Sequence, residues 1–196
     1  MKPHKDNPII REQSATYDDY ASLKDDGRRY ELADGTLELM TPAPSPKHQY
    51  ISNQLQHLIT DSCQSDYLIF ASPIDLILSQ TEVRQPDLVM VHRNRKSIVT
   101  RRGIEGTPDL VAEIVSPHSV KRDRYSKKAA YSRYRIPEYW IVDPSNESLE
   151  QYVLDEGDKY TLREIYESEE TIRSDRLSCI SFTMKQITES AADLPG

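Results

Sequence analysis

Cysteine and long apolar runs are scarce in this chain of 196 residues. Only two cysteines occur, Cys63 and Cys179, and their spacing matches no metal-binding pattern, so the sequence predicts buried thiols rather than a disulfide framework or a zinc site. No stretch reaches the roughly 18 apolar residues of a membrane span. The N-terminal residues lack the layout of a signal peptide, and we therefore expect a cytoplasmic protein with no membrane partner.

Lys and Arg residues are also fewer than Asp and Glu residues. The chain has 25 Lys and Arg residues against 32 Asp and Glu residues, and its net charge of −7 argues against a general nucleic-acid coat protein. The positive residues gather at 93–96, 101–102 and 121–128, which flank the most apolar stretches. Such local basic segments are compatible with a phosphodiester substrate, and equally with ordinary solvated faces.

The stretch from Leu110 to Asp143 gives the strongest structural signal. It begins with LVAEIV, which is typical of a strand buried on both faces, yet Glu113 lies in the middle of that strand. A buried carboxylate requires a proton, a partner or a cation, because an isolated buried charge is strongly unfavourable. A helix-like polar segment and the apolar run YWIVD follow, so we expect a right-handed crossover that places the two strands parallel. A Glu paired with Arg for packing alone is the simpler alternative.

Helix and strand signals alternate through the rest of the chain. Thr16 is expected to cap a short helix ending near Leu23, and Asp34-Gly35 is expected to turn a hairpin between Tyr30 and Leu39. A longer helix begins with Ser45 as its cap; in its first turn, His48 suits a surface or supporting role better than metal ligation. Further strands are predicted at 67–71, 74–78, 87–91, 149–154, 160–166 and 177–182.

These elements predict one mixed α/β sheet, with an N-terminal hairpin and antiparallel C-terminal strands. The chain has no repeat and no linker long enough to separate a second domain. We expect an irregular arm at 1–13, a single domain at 14–188 and a frayed tail at 189–196.

Two Pro-Asp pairs supply possible partners for Glu113. Asp109 lies four residues earlier on the same strand, about 13 Å away at roughly 3.3 Å per residue, which is too far for the two carboxylates to share one ion. Asp87 opens a different strand, and adjacent strands lie about 4.8 Å apart, so Asp87 converges with Glu113 if the two strands pair antiparallel. Asp109 is then a strand-entry residue.

Two carboxylates on adjacent strands suit Mg²⁺, which takes oxygen ligands and often uses one or two protein carboxylates together with substrate phosphate. An added lysine makes phosphodiester hydrolysis plausible, because an ammonium can orient water or stabilise developing charge. Lys127 is the candidate, since its flexible side chain can reach back over the strand ends from the crossover helix. A surface pair between Asp123 and Lys127 is the alternative interpretation.

Three stretches resemble the Uma-type restriction endonuclease family, a branch of the PD-(D/E)XK nuclease superfamily. They read RYELADGTLELMTPAPSPKHQ, VRQPDLVMV and PDLVAEIVSPHSVKRDRYSKKAAYSRYRIPEYWIVDP. The resemblance implies a restriction-endonuclease-like α/β core and divalent-metal chemistry with Mg²⁺, or Mn²⁺ as a substitute. It further implies Asp87 and Glu113 as metal acids, Lys127 as the displaced lysine of the family and Glu31 as an extra acid near the hairpin.

The chain departs from the superfamily pattern at Val115, which stands where a lysine usually follows the second acid. We therefore keep two main hypotheses. The first is a metal-dependent endodeoxyribonuclease that acts on DNA, with a homodimer expected by analogy for cutting both strands. The second is a catalytically inactive module that binds nucleic acid or protein with the same fold, since a fold does not fix a function. A purely structural interaction protein is a third interpretation.

Overall fold

The computed structural model describes residues 14–40 and 43–195, so the predicted arm at 1–13 lies outside the described residues. The helices are α1 (Tyr17–Ala21), α2 (Pro46–Cys63), a π-helix (Arg122–Lys127), α3 (Lys128–Arg133) and α4 (Met184–Thr188), with 3-10 turns at Arg93–Ile98 and Glu189–Ala191. The strands are β1 (Tyr30–Ala33), β2 (Thr36–Leu39), β3 (Tyr67–Ala71), β4 (Leu76–Ser79), β5 (Glu82–Arg84), β6 (Leu88–His92), β7 (Ile104–Glu105), β8 (Leu110–Ile114), β9 (Glu138–Asp143), β10 (Ser148–Leu154), β11 (Tyr160–Glu167), β12 (Thr171–Ile172) and β13 (Phe182–Thr183).

Most of the strands form two sheets. The larger sheet has the order β11-β10-β9-β8-β6-β3, and the smaller one has the order β2-β1-β5-β4-β7, while β12 and β13 pair separately. β8 and β9 are parallel, as the strand–helix–strand pattern predicts, and the other pairs of the larger sheet are antiparallel. The sheet architecture is therefore mixed α/β, with helices against it.

The central strand β8 is covered on both faces, which explains its nearly continuous apolar sequence. Leu110, Ala112 and Ile114 belong to a core shared with α2 and the C-terminal segment. Val111 and Val115 face the opposite way, into a core that includes Tyr131 and Tyr139. Strand alternation puts Glu113 on this second face.

The segment from β5 to β6 links the two sheets. β5 pairs with β1 in the smaller sheet, and after Gln85-Pro86-Asp87 the chain enters β6 in the larger sheet. The hairpin therefore lies beside the point where the chain crosses between the sheets. This connection brings residues of β1 close to the end of β8.

The local signals for helix and turn starts are confirmed. Thr16 caps α1 in a capping box, and Ser45 caps α2 with Pro46 at its first position. Asp34 and Gly35 have positive φ angles of 49° and 77° in the turn between β1 and β2, which is the backbone conformation that this hairpin requires. The first helix ends at Ala21 rather than near Leu23, and β4 begins at Leu76 rather than at residue 74.

Other predictions for the C-terminal part are wrong. Cys63 and Cys179 form a disulfide with Cα atoms 5.2 Å apart, instead of two thiols. The predicted strand at 177–182 is mostly irregular, and only its last residue, Phe182, belongs to a strand. A 3-10 turn follows α4 at Glu189–Ala191, and Ala191 is fully buried against the core.

Within the two described ranges, no helix combines the length and the apolar character needed to cross a membrane.

Candidate active site

Strand pairing brings two of the predicted acids to the same place. β6 and β8 run antiparallel with Leu88 opposite Ala112, so one step further along Asp87 comes opposite Glu113. The Ile114 amide donates a hydrogen bond of 2.8 Å to Asp87 Oδ2, which fixes this carboxylate at the end of β8. The predicted antiparallel pairing of the two strands is therefore confirmed.

The Glu113 carboxyl group is enclosed by protein, with 2% of the residue exposed. Its Oε1 accepts hydrogen bonds from Lys127 Nζ at 2.8 Å and from the Tyr131 hydroxyl at 2.7 Å. Burial raises the pKa of Glu113 to about 8; the charges of Asp123 and Asp87 act in the same direction, and Lys127 opposes them. Burial therefore favours the protonated form of Glu113, and a further cation bound beside it would favour the ionised form.

Lys127 reaches the acids from the end of the π-helix and is itself 2% exposed. Its Nζ lies 2.8 Å from Glu113, 3.3 Å from Glu31 and 3.8 Å from Asp123. Burial lowers the pKa of Lys127, but Glu113 and Glu31 more than offset this and leave the pKa raised, so the side chain carries its charge. The alternative of a surface pair with Asp123 is wrong, because both residues are buried.

Glu31 is fully buried on β1, on the face opposite to Leu32. The Gln85 amide donates to its Oε1 at 2.8 Å, and Arg84 Nη1 lies 3.4 Å from its Oε2. Burial raises the pKa of Glu31, but the Lys127 and Arg84 charges outweigh burial and hold the pKa below its usual range. Glu31 is therefore an ionised partner of Lys127.

His48 lies beside Asp87, at the first turn of α2. Its Nε2 is 2.8 Å from the carbonyl oxygen of Ile114 and 3.3 Å from Asp87 Oδ2. Because a carbonyl only accepts, this nitrogen donates, and the imidazole joins the end of β8 to the carboxylate. Burial raises the pKa of Asp87, but His48 outweighs it and lowers the pKa. The position of His48 in the first turn was the sequence signal for this contact.

Asp109 is separate from this cluster. Its Oδ2 accepts from the His92 amide at 2.7 Å, and its Oδ1 accepts from Arg95 Nη1 at 3.0 Å. These contacts fix the entry into β8, which is the role that the strand geometry predicts for Asp109.

The donor set suits a hard divalent cation. Four carboxylates surround or adjoin Lys127, namely those of Asp87, Glu113, Glu31 and Asp123. Arg84 is a second cation near this cluster, but its guanidinium also pairs with Glu82, with Arg84 Nε 2.6 Å from Glu82 Oε1. Within 14–40 and 43–195, no three His, Cys, Asp or Glu side chains form a ready-made metal cluster. Two carboxylates with the Ile114 carbonyl nevertheless fit Mg²⁺, which often takes only one or two protein carboxylates.

A shallow pocket of about 290 Å³ adjoins the acids through Gln85. Lys127 Nζ lies 3.4 Å from the backbone oxygen of Gln85, and Arg101 and Arg102 are among the other residues that line the pocket. The larger cavity, of about 540 Å³, lies elsewhere, between β10, β11 and residues 173–176, and contains none of the four predicted site residues. The smaller pocket is not lined by these four residues either, and it approaches the acidic cluster only through Gln85.

Most of the described chain matches a known family. The Uma2 family, whose description reads "Putative restriction endonuclease", matches residues 15–185. The chain belongs to the Uma2 family. A search of curated proteins gives no match. The predicted family is therefore confirmed.

Two solved structures are similar to this Uma2 protein. One is described as a "putative nuclease belonging to DUF820" from Anabaena variabilis ATCC 29413; it is 16% identical, with a TM-score of 0.73, and the match covers 90% of this chain and 98% of that one. The other is the type IIG restriction endonuclease BpuSI, which is 14% identical with a TM-score of 0.43; that match covers 79% of this chain and 18% of BpuSI. The first similarity confirms the restriction-endonuclease-like α/β fold.

Proposed function

We propose that this Uma2 protein is a divalent-metal-dependent endonuclease that hydrolyses DNA phosphodiester bonds, with Mg²⁺ as its ion and Mn²⁺ as a substitute. The convergence of Asp87, Glu113, Lys127 and Glu31 from four separate elements carries the proposal. An acidic cluster with one buried ammonium is costly to fold, and such a cost is typical of a functional site.

The proposed roles follow from the donor atoms. Asp87 and Glu113 would hold the ion, together with the Ile114 carbonyl that His48 now contacts. When bound, the ion polarises the phosphate and lowers the pKa of attacking water. Lys127 supplies a charged donor that orients water or stabilises developing negative charge, and Glu31 keeps that ammonium in place from its other side.

The position of the lysine supports the proposal despite the departure at Val115. The Val115 side chain is 5% exposed and packs in the apolar core of the second sheet face. Lys127 delivers an ammonium to Glu113 from the helix instead, at 2.8 Å. The chain therefore has the acid and ammonium pair that the family resemblance implies, assembled from a different element.

DNA is the proposed substrate, with a homodimer as the proposed assembly. Arg101 and Arg102 are exposed and line the pocket that adjoins Gln85, where a phosphate backbone would compete with Glu105 for the Arg102 guanidinium. Two copies of one active site would cut both strands of a duplex, which is the basis for proposing a symmetric dimer.

The test compares wild type with Glu113→Gln, which keeps the shape of the side chain and removes its charge. Mn²⁺ is titrated calorimetrically into each protein, and nicking of supercoiled plasmid DNA is followed with and without the ion. We expect wild type to bind Mn²⁺ and nick the plasmid, and Glu113→Gln to lose both. Equal Mn²⁺ affinity of the two proteins, or nicking that needs no divalent ion, would contradict the proposal.

A catalytically inactive binding module is the second candidate. The observation that favours it is the near-complete burial of Lys127, whose ammonium is engaged by carboxylates. This candidate predicts DNA binding that weakens with salt and is the same with or without Mn²⁺, and no nicking. Gel-shift measurements at two salt concentrations, with chelator and with Mn²⁺, distinguish the two candidates.

A further inference from the structure

Three buried side-chain atoms in the described part of the chain have no hydrogen-bond partner: His48 Nδ1, Arg122 Nε and Asp123 Oδ1. Buried polar atoms are rarely left without a partner, and an exception usually marks a place for water or an ion. All three residues belong to the surroundings of Asp87 and Lys127. Arg122 and Asp123 begin the π-helix that ends at Lys127, and His48 contacts Asp87.

Asp123 is the most informative of the three. It is 2% exposed, and its Oδ1 lies 3.8 Å from Lys127 Nζ, beyond hydrogen-bond distance. Burial is the largest cause that raises the pKa of Asp123, and the charge of Asp87 adds to it while Lys127 opposes it; Asp123 in turn adds to the effect of burial on the pKa of Glu113. A buried carboxylate with an unpartnered oxygen therefore lies close to two other acids, Glu113 and Asp87.

The backbone around Asp123 adds an independent observation. Residues Arg122–Lys127 form a π-helix, a rare conformation that is frequently found at functional sites. In such a helix, positions four apart fall close to one turn, so Asp123 and Lys127 share the face that meets the strands. The irregular helix therefore keeps both side chains directed to the acids at the end of β8.

We propose that Asp123 is a third carboxylate of the cation centre and accepts a hydrogen bond from the hydration shell of the divalent ion. The proposal rests on the proposed function, because it assumes an ion at Asp87 and Glu113. Mg²⁺ keeps several waters when it binds protein, and those waters need acceptors. The free oxygen of Asp123 is such an acceptor, whereas both oxygens of Glu31 already have partners. Asp123 is therefore a positioning residue for the hydrated ion.

The experiment measures Mn²⁺ affinity by calorimetry for wild type, Asp123→Asn, Asp123→Ser and Asp87→Asn. Asp109→Asn is the matched control, because it neutralises a partly buried carboxylate at the other end of β8. We expect both Asp123 variants to weaken Mn²⁺ binding about 10- to 100-fold, the range for residues that support metal ligands. Asp109→Asn should bind Mn²⁺ as wild type does.

Thermal unfolding without the ion separates this role from a structural one. If Asp123 serves only as an ion-pair partner of Lys127, its replacement lowers the melting temperature and leaves the Mn²⁺ affinity unchanged, which would overturn the proposal. For a measurement that needs no variant, substoichiometric Mn²⁺ should broaden the backbone amide resonance of Asp123 in wild type together with that of Ile114. A sharp Asp123 resonance beside a broadened Ile114 resonance would also overturn it.

The outcomes for the two proposals are distinct. If wild type binds no Mn²⁺, the proposed function fails, and the role of Asp123 fails with it. If Asp87→Asn loses binding while both Asp123 variants bind as wild type does, only the role of Asp123 is wrong.

Discussion

An aspartate that follows proline lies at each end of β8, Asp109 at its start and Asp87 beside its other end, but the charges around the two ends differ. At the start of the strand, Asp109 receives one amide hydrogen bond and one from Arg95, so its charge is matched locally. At the other end, Glu113 shares the ammonium of Lys127 with Glu31 and Asp123. A carboxylate that has its own hydrogen-bond and ion-pair partners stabilises the fold. Several carboxylates that share one ammonium indicate a place for a further cation.

The two ends of β8 also differ in their contributions to the free energy of unfolding. A partly exposed ion pair such as that of Asp109 contributes modestly to stability, about 1 kcal/mol or less. Several buried carboxylates around one ammonium are unfavourable unless something else binds there. The end of β8 that is least favourable for folding is therefore the end most suited to binding a ligand.

The sharpest test of this comparison pairs Asp87→Asn with Asp109→Asn. Both variants neutralise an aspartate that follows proline, but only Asp87 contacts the acidic end of β8 through the Ile114 amide. We expect Asp87→Asn to abolish Mn²⁺ binding and plasmid nicking, because an amide replaces a charged ligand. Asp109→Asn should keep both and lose only about 1 kcal/mol of stability in urea unfolding.

Similar effects of Asp87→Asn and Asp109→Asn would contradict the proposed difference between the two ends of β8. If the two variants reduce Mn²⁺ affinity equally, the loss reflects the net charge of the molecule rather than a site. Far-UV circular dichroism of both variants checks that the sheet is intact before the affinities are compared.

The next largest effect is expected for Lys127→Met. Removing a charged donor from a site that stabilises developing charge lowers rates by about 10² to 10³, so nicking should fall by that factor. Mn²⁺ binding should persist, because all the carboxylates remain. Unfolding without the ion should become easier, since the acids lose their shared ammonium, and Mn²⁺ should restore part of the stability.

Lys128→Met is the matched control for this variant. Its ammonium lies 3.5 Å from the centre of the Tyr152 ring and points away from the acids. Nicking by Lys128→Met should stay near the wild-type rate. If both lysine variants lose activity equally, nicking depends on the overall positive charge of the helix and not on Lys127 in particular.

The outline of the site could be predicted from the sequence because local patterns determine it. The apolar run around Glu113 predicts a central strand, and the rise per residue alone separates Asp109 from Asp87 as its partner. Crossover geometry predicts that β9 is parallel to β8, and the Asp34-Gly35 turn predicts the hairpin that carries Glu31. Each of these inferences needs only periodicity or turn chemistry.

The features that could not be predicted from the sequence depend on contacts between segments that are far apart in the chain. Glu31 and Arg84 are 53 residues apart, and Cys63 and Cys179 are separated by 116 residues, so no local pattern indicates that they meet. The packing of Ala191 against the core is of the same kind, and a short polar tail gives no sign of it. The burial of Lys127 could not be predicted from the sequence either, because a lysine in a basic helix ordinarily lies in solvent.

The smallest expected effect concerns the pH dependence of stability. Because burial raises the pKa of Glu113 to about 8 from an ordinary value of 4.5, the folded state holds a proton that the unfolded state releases. The contribution of Glu113 is therefore fully present below about pH 4.5 and is lost as the pH rises toward 8. Without a divalent ion, the free energy of unfolding of wild type should fall relative to that of Glu113→Gln across this window.

Urea unfolding of the two proteins at several pH values between 4.5 and 8.5 measures this difference. The comparison with Glu113→Gln removes the contributions of other titrating groups, which both proteins share. Excess Mn²⁺ should reverse the trend in wild type, because the ion displaces the proton and binds more tightly as the pH rises. A constant difference between the proteins would mean that Lys127 alone balances the charge of Glu113, and the acidic end of β8 would then be as well matched as the end at Asp109.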